Sequence, residues 1–176
     1  MVNKHNRLAS LGAIMALTIL LAGTSCSKPA SESVIGTPGS VFLNPKSQNA
    51  KPSSQIKVSI EVVPANWGVS GAEIQVSFDP RSLEAVSVKP GSALGANPIE
   101  GMSKIDKAQG TIVYALARQG ETTAPGTRGA LVNIEFRAKT GASGAVRIEL
   151  SRVGLSDENF QPIPGVTTDG ASIIFK

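Results

Sequence analysis

Between Gly71 and Phe78 the side chains change character at every step, with Ile74, Val76 and Phe78 apolar and Glu73, Gln75 and Ser77 polar. Successive side chains of a strand point to opposite faces, so this period of two predicts a strand with one buried face. Asp79-Pro80 follows as a turn, because Asp can bond its own backbone two residues on and Pro presets φ. A second extended run, Leu83 to Val88, is closed by Pro90-Gly91. The core is therefore a sheet whose strands are laid down in quick succession.

The same alternation recurs along the chain. Ile56, Val58, Ile60 and Val62 share one face of Gln55 to Val63, with Lys57, Ser59 and Glu61 on the other. Val132, Ile134, Phe136 and Ala138 point inward from Leu131 to Lys139, opposite Asn133, Glu135 and Arg137. Thr111 to Ala117 is almost wholly apolar, as suits a strand covered on both sides or one whose outer face meets a partner. Ser40 to Asn44, ended by Pro45, reads as a first strand, and Ala171 to Lys176 as a last one. Val146, Ile148 and Leu150 mark another. Lys46 to Ser54 reads as a polar loop, and Ser92 to Gly110 as a long loop with room for a short strand near Ile105. No helical period stands out. Eight or nine short strands separated by turns make an all-β sandwich.

The ordered series resembles a cohesin domain over about Ser40 to Lys176. A strand ending in Phe78-Asp79-Pro80 leads through Ser82-Leu83-Glu84 to a second strand closed by Pro90-Gly91. Gly129-Ala130-Leu131 then opens a long alternating strand, Leu155-Ser156-Asp157 precedes a turn, and Asp169-Gly170 precedes the last strand. The resemblance implies a nine-stranded jelly-roll sandwich that binds a calcium-loaded dockerin module on one sheet face. That face would include the strand of Glu73 and the strand of Tyr114. The resemblance places Glu73 at a partner contact, though Glu73 could equally be a solvent-facing strand residue that touches nothing. Alternation along Thr111 to Ala117 turns Val113 and Ala115 outward as a small apolar patch suited to a partner's helix. Gln75 and Arg118 complete the partner-binding positions. Arg118 stands where well-known cohesins often carry an acid. With the partner carrying the calcium, no cofactor is expected here.

The N-terminus has a different logic. Lys4 and Arg7 precede an apolar run from Leu8 to Ala22, which is short against the roughly 20 apolar residues of a membrane span. The run ends at Leu21-Ala22-Gly23-Thr24-Ser25-Cys26, and Cys26 is the only cysteine of the 176 residues. This resembles a bacterial lipoprotein signal: residues 1–25 are removed and Cys26 takes the lipid. The other reading is an ordinary signal cut near Ala22 or Ser25, which leaves Cys26 as a thiol. Residues 26–39, small and Pro/Gly-bearing, read as a flexible tether, and residues 40–176 as the sandwich. The protein is then exported and lipid-anchored at the envelope, or secreted if Cys26 is unmodified.

Composition removes several function classes. His5, the sole histidine, lies in the signal, so Ser-His-Asp and Cys-His catalysis and ordinary zinc sites lack their residues. No phosphate-binding loop of the GxxxxGK[ST] type occurs. Without Lys4 and Arg7 the 17 basic residues fall to 15, against 13 acidic ones, too even a balance for nucleic acid. The protein is read as non-enzymatic, because no convergent acid, base and nucleophile can be named. Asp157-Glu158-Asn159 reads as a solvated turn before it reads as a metal loop. One alternative remains, a carbohydrate-binding module using Trp67, whose ring could stack on a sugar or could equally cap the core. Another is a surface domain with no specific ligand.

Overall fold

The computed structural model describes residues 36–120 and 126–176; the proposed signal, Cys26 and most of the tether lie outside them. The strands are β1 (Ser40–Asn44), β2 (Ser47–Ala50), β3 (Gln55–Val63), β4 (Gly71–Phe78), β5 (Leu83–Pro90), β6 (Ile99–Asp106), β7 (Thr111–Ala117), β8 (Gly129–Ala138), β9 (Gly144–Ser156), β10 (Thr167–Asp169) and β11 (Ala171–Phe175). They form a five-stranded sheet in the order β10-β1-β3-β8-β5 and a six-stranded sheet in the order β2-β11-β9-β4-β7-β6. The described residues contain no helix. The all-β sandwich expected from the alternation is what the chain adopts.

Two strands exceed the nine expected, and each has a physical reason. β2 falls within the stretch read as a polar loop. Its residues Ser47, Gln48, Asn49 and Ala50 offer no apolar face, but they pair in parallel with the otherwise open edge of β11. β10, all exposed, does the same for β1. Such edge strands form because they satisfy backbone donors and acceptors, and side-chain patterning carries no trace of that.

Between the sheets the inward rows of β3, β4, β7 and β8 interlock in a single core that includes Ile60, Ile74, Tyr114, Leu131 and Phe136. Phe78 of one sheet meets Phe136 of the other edge-on, with ring centroids 5.1 Å apart. The Asp79 turn forms as its residue types predict: Oδ1 accepts from the Arg81 amide at 3.0 Å, and the Asp79 carbonyl accepts from the Leu83 amide at 3.0 Å. Gly110 is required where it stands. It has φ +65°, and an added Cβ would lie 2.1 Å from the Phe78 carbonyl oxygen.

On the outer face of the five-stranded sheet, Glu61 sits in a cluster of donors. Arg128 Nε donates to it at 2.5 Å and Asn44 Nδ2 at 2.6 Å, while the guanidinium lies 5.1 Å from the Phe42 ring centroid. Burial pushes the Glu61 carboxyl up, but hydrogen bonds from Arg128, Asn44 and Ser59 outweigh it and hold the group below its ordinary 4.5. A carboxyl depressed in the folded state stabilises the fold above its unfolded pKa, and that contribution is lost as pH falls through the folded value. The melting temperature therefore falls on acidification below 4.5, and Glu61→Gln flattens this part of the profile while lowering stability at neutral pH. Melting curves of the two proteins from pH 7 to pH 3 check this; parallel profiles would remove Glu61 as the source.

Candidate functional site

The outer face of the six-stranded sheet is where the sequence reading places a partner, and the register assembles it row by row. Glu73 lies opposite Ala115 on β7 and Gly154 on β9, and Ala115 in turn lies opposite Met102 on β6. The next row runs Arg152, Gln75, Val113 and Lys104, and the row on the other side runs Ser156, Gly71, Ala117 and Ile99. Ile74, Tyr114 and Leu116 are buried beneath, so the alternation of β4 and β7 leaves Glu73, Gln75, Val113, Ala115 and Ala117 facing outward. Four of the five proposed partner-binding residues are thus brought together on two neighbouring strands.

The face is flat because its central side chains are short. Ala115, Ala117, Gly71 and Gly154 stand where longer residues would project. Around them lie Ile99 and Met102, 55% and 52% exposed, and beyond β9 Phe160 at 57%. Exposed large hydrophobics gathered beside small residues form an apolar surface, which is the composition of an interface centre. At one end Gly71, Glu73, Ala117, Gly154, Phe160 and Pro162 border a shallow trough of about 380 Å³. Charge marks the border of the surface. Arg152 Nη1 lies 3.7 Å from Glu73 Oε1, and Lys104 and Asp106 flank the β6 side.

Arg118, the fifth residue, is placed at the end of β7 but held inward. Its amide donates to the Ser70 carbonyl at 2.8 Å and its Nε to the Ser70 hydroxyl at 2.9 Å, and Ser70 is fully buried. The side chain therefore fastens the β3–β4 connection to β7. Trp67, on that same connection, is half-buried and packs against the core. That is the position of a cap over the sandwich.

Ile99, Met102 and Phe160 were not among the residues singled out from sequence. β6 hides its pattern because a bulge between Glu100 and Met102 lets Ile99 and Met102, three apart, face the same way. Tyr114 pins this bulge: its hydroxyl, at the end of an otherwise buried ring, donates to the Glu100 carboxylate. Burial first, and then the Glu100 carboxylate, push the Tyr114 hydroxyl well above its ordinary value, so the donor stays protonated. Phe160 has φ +59° in the turn capped by Asp157, whose Oδ1 accepts from the amides of Asn159 and Gln161, both at 2.8 Å. Asp157 is thereby engaged as a turn former. Among the described residues no group of three or more His, Cys, Asp or Glu could hold a metal ion.

Comparison with known proteins bears on the family and the fold. The sequence profile of the cohesin domain matches residues 41–174. No curated protein matches the chain. Among solved structures, a type I cohesin–dockerin complex of OlpA from Clostridium thermocellum superposes with a TM-score of 0.66 at 14% identity, covering 78% of this chain and 98% of that one. The non-cellulosomal cohesin of the archaeon Archaeoglobus fulgidus gives 0.63 at 18% identity, covering 78% and 90%. The type II cohesin dyad from the adaptor ScaA scaffoldin of Acetivibrio cellulolyticus gives 0.65 at 16%, covering 76% of this chain, which spans 47% of that dyad.

Proposed function

We propose that this chain, which belongs to the cohesin domain family, is a non-catalytic docking module that binds a dockerin-bearing or related extracellular protein. The observation that carries this reading is the uncovered face of β4, β7 and β6, flat and apolar at its centre and charged at its border. Several similar structures are cohesin–dockerin complexes, which supports a partner of the same kind here. Short side chains at Ala115, Ala117 and Gly71 let a helix of the partner lie close to the sheet, with Met102, Ile99 and Phe160 as the large apolar contacts. Glu73 with Arg152, and Lys104 beyond them, select among partners through charge.

Removal of residues 1–25, a lipid on Cys26 and a tether to residue 39 would hold the module off the membrane of the producing cell. Its place is then at the envelope, where it retains a component of a polysaccharide-degrading or surface assembly.

A pull-down from the secretome of the source cell tests the function. The expected result is recovery of a dockerin-bearing protein in calcium and its loss with a chelator, since the ion belongs to the dockerin. Capture that is indifferent to chelation, or no capture of any dockerin-bearing protein, would sink the proposal.

A further inference from the structure

On the opposite side of the molecule, the outer face of the five-stranded sheet dips. The register sets Asn44, Ser59, Asn133 and Lys89 side by side in one rung across β1, β3, β8 and β5. The adjacent rung is Lys57, Glu135 and Ser87. Inward neighbours Val58, Ile60 and Ile134 are buried in the core, so both rungs point away from it. The short side chains of Ser59, within the first rung, and Ser87, at the β5 end of the second, leave a cavity of about 430 Å³. That lies within the range of small-ligand sites.

The lining has cationic donors to spare. Lys57 and Lys89 form no ion pair among the described residues. Two ammonium groups face one groove carboxylate: Glu135, opposite Lys57 in its rung, accepts from Gln55 and from the Ser87 hydroxyl, while Glu61 is already paired with Arg128. Asn133 Nδ2 makes only a long bond of 3.4 Å to the Pro90 carbonyl. In the wall, Asn44 Oδ1 is buried with no hydrogen-bond partner, a lapse that native structures seldom leave without a reason.

The aliphatic residues that line this groove, Val58 and Ile134, are buried at its floor, and no aromatic lines it. The nearest aromatic across the sheet, Phe42, is buried beneath Arg128. A protein partner would find no apolar anchor, and a neutral sugar would find no ring to stack on. What the groove offers is amides and hydroxyls for hydroxyl groups and two uncommitted ammonium groups for carboxylates. We infer that this groove is a second binding site, for an acidic saccharide of the uronate class, with Lys57 and Lys89 taking its carboxylates. It does not depend on the docking reading, because it lies on the other sheet. Both faces can be filled at once, so the module would join a protein partner to an acidic glycan.

Calorimetric titration of the protein with tetragalacturonate, cellotetraose and inorganic tripolyphosphate tests the inference. Tetragalacturonate should bind with an affinity that falls as salt rises, and the other two should bind at least about tenfold more weakly. Lys57→Ala with Lys89→Ala should weaken uronate binding at least about tenfold without moving the melting temperature, because both side chains are exposed and unpaired. Lys51→Ala with Lys176→Ala, lysines away from the groove, should leave binding unchanged. No uronate binding overturns the site. Equal binding of cellotetraose overturns its charge selection, and equal binding of tripolyphosphate shows a site that reads charge alone. An equal loss in the Lys51/Lys176 protein shows diffuse attraction and no groove.

Discussion

Replacing Ala115 by arginine abolishes partner binding, weakening it at least about a hundredfold, while the domain melts as before. Ala115 stands at the centre of the outer face, between Glu73 on β4 and Met102 on β6. In the isolated domain a long side chain there extends into water and can pair across the strands with Glu73, so stability should change by less than about 0.5 kcal/mol. In the complex the same side chain holds the partner's helix away from the sheet. Dockerin affinity measured by calorimetry, beside a melting curve, separates the two effects. Affinity within about threefold of the parent, with the fold intact, would place the docking surface elsewhere.

The second large effect lies in the core. Phe136→Ala should lower unfolding free energy by about 3–5 kcal/mol. The ring is fully buried on β8 and meets Phe78 of the facing sheet edge-on, so its removal opens a void and breaks a contact between the sheets. Aromatic pairs of this geometry add about 0.5–1.5 kcal/mol beyond the area they bury. A single cysteine cannot form an internal disulfide, so nothing covalent compensates. Against a usual total of about 5–15 kcal/mol, the variant is marginal at physiological temperature. Urea unfolding followed by Trp67 fluorescence checks it, and a loss below about 1.5 kcal/mol would mean that the surrounding side chains close the gap.

Both predictions concern residues that the alternation had already sorted into outside and inside. β3, β4, β7 and β8 are legible because each buries one face and shows the other, so their side chains carry the period of the pleat. β2 and β10 are held by backbone pairing at sheet edges, where residues such as Gln48 and Thr168 have nothing to bury. β6 escapes for a different reason: Gly101 in its bulge shifts the phase, and Ile99 and Met102 no longer read as one row. The outward rows of the proposed docking face are therefore legible along β4 and β7 and hidden along β6. Arg118 is singled out through the cohesin resemblance alone, and its engagement with Ser70 depends on how the β3–β4 connection returns to the sheet. Phe160 stands in a turn, and no periodic signal reaches it.

The way β1 is held has a mechanical consequence. It is flanked on both sides, antiparallel to β3 and parallel to β10, and residue 39, just before it, is itself bonded to Val63 and Thr167. If the chain is moored through its leading end, drag on a captured partner pulls on this strand first. Traction along its axis loads two ladders together, and their bonds must shear in concert, where a strand at a rim could peel away one bond at a time. The module is thus held by two ladders where a tethered receptor under flow would be tugged.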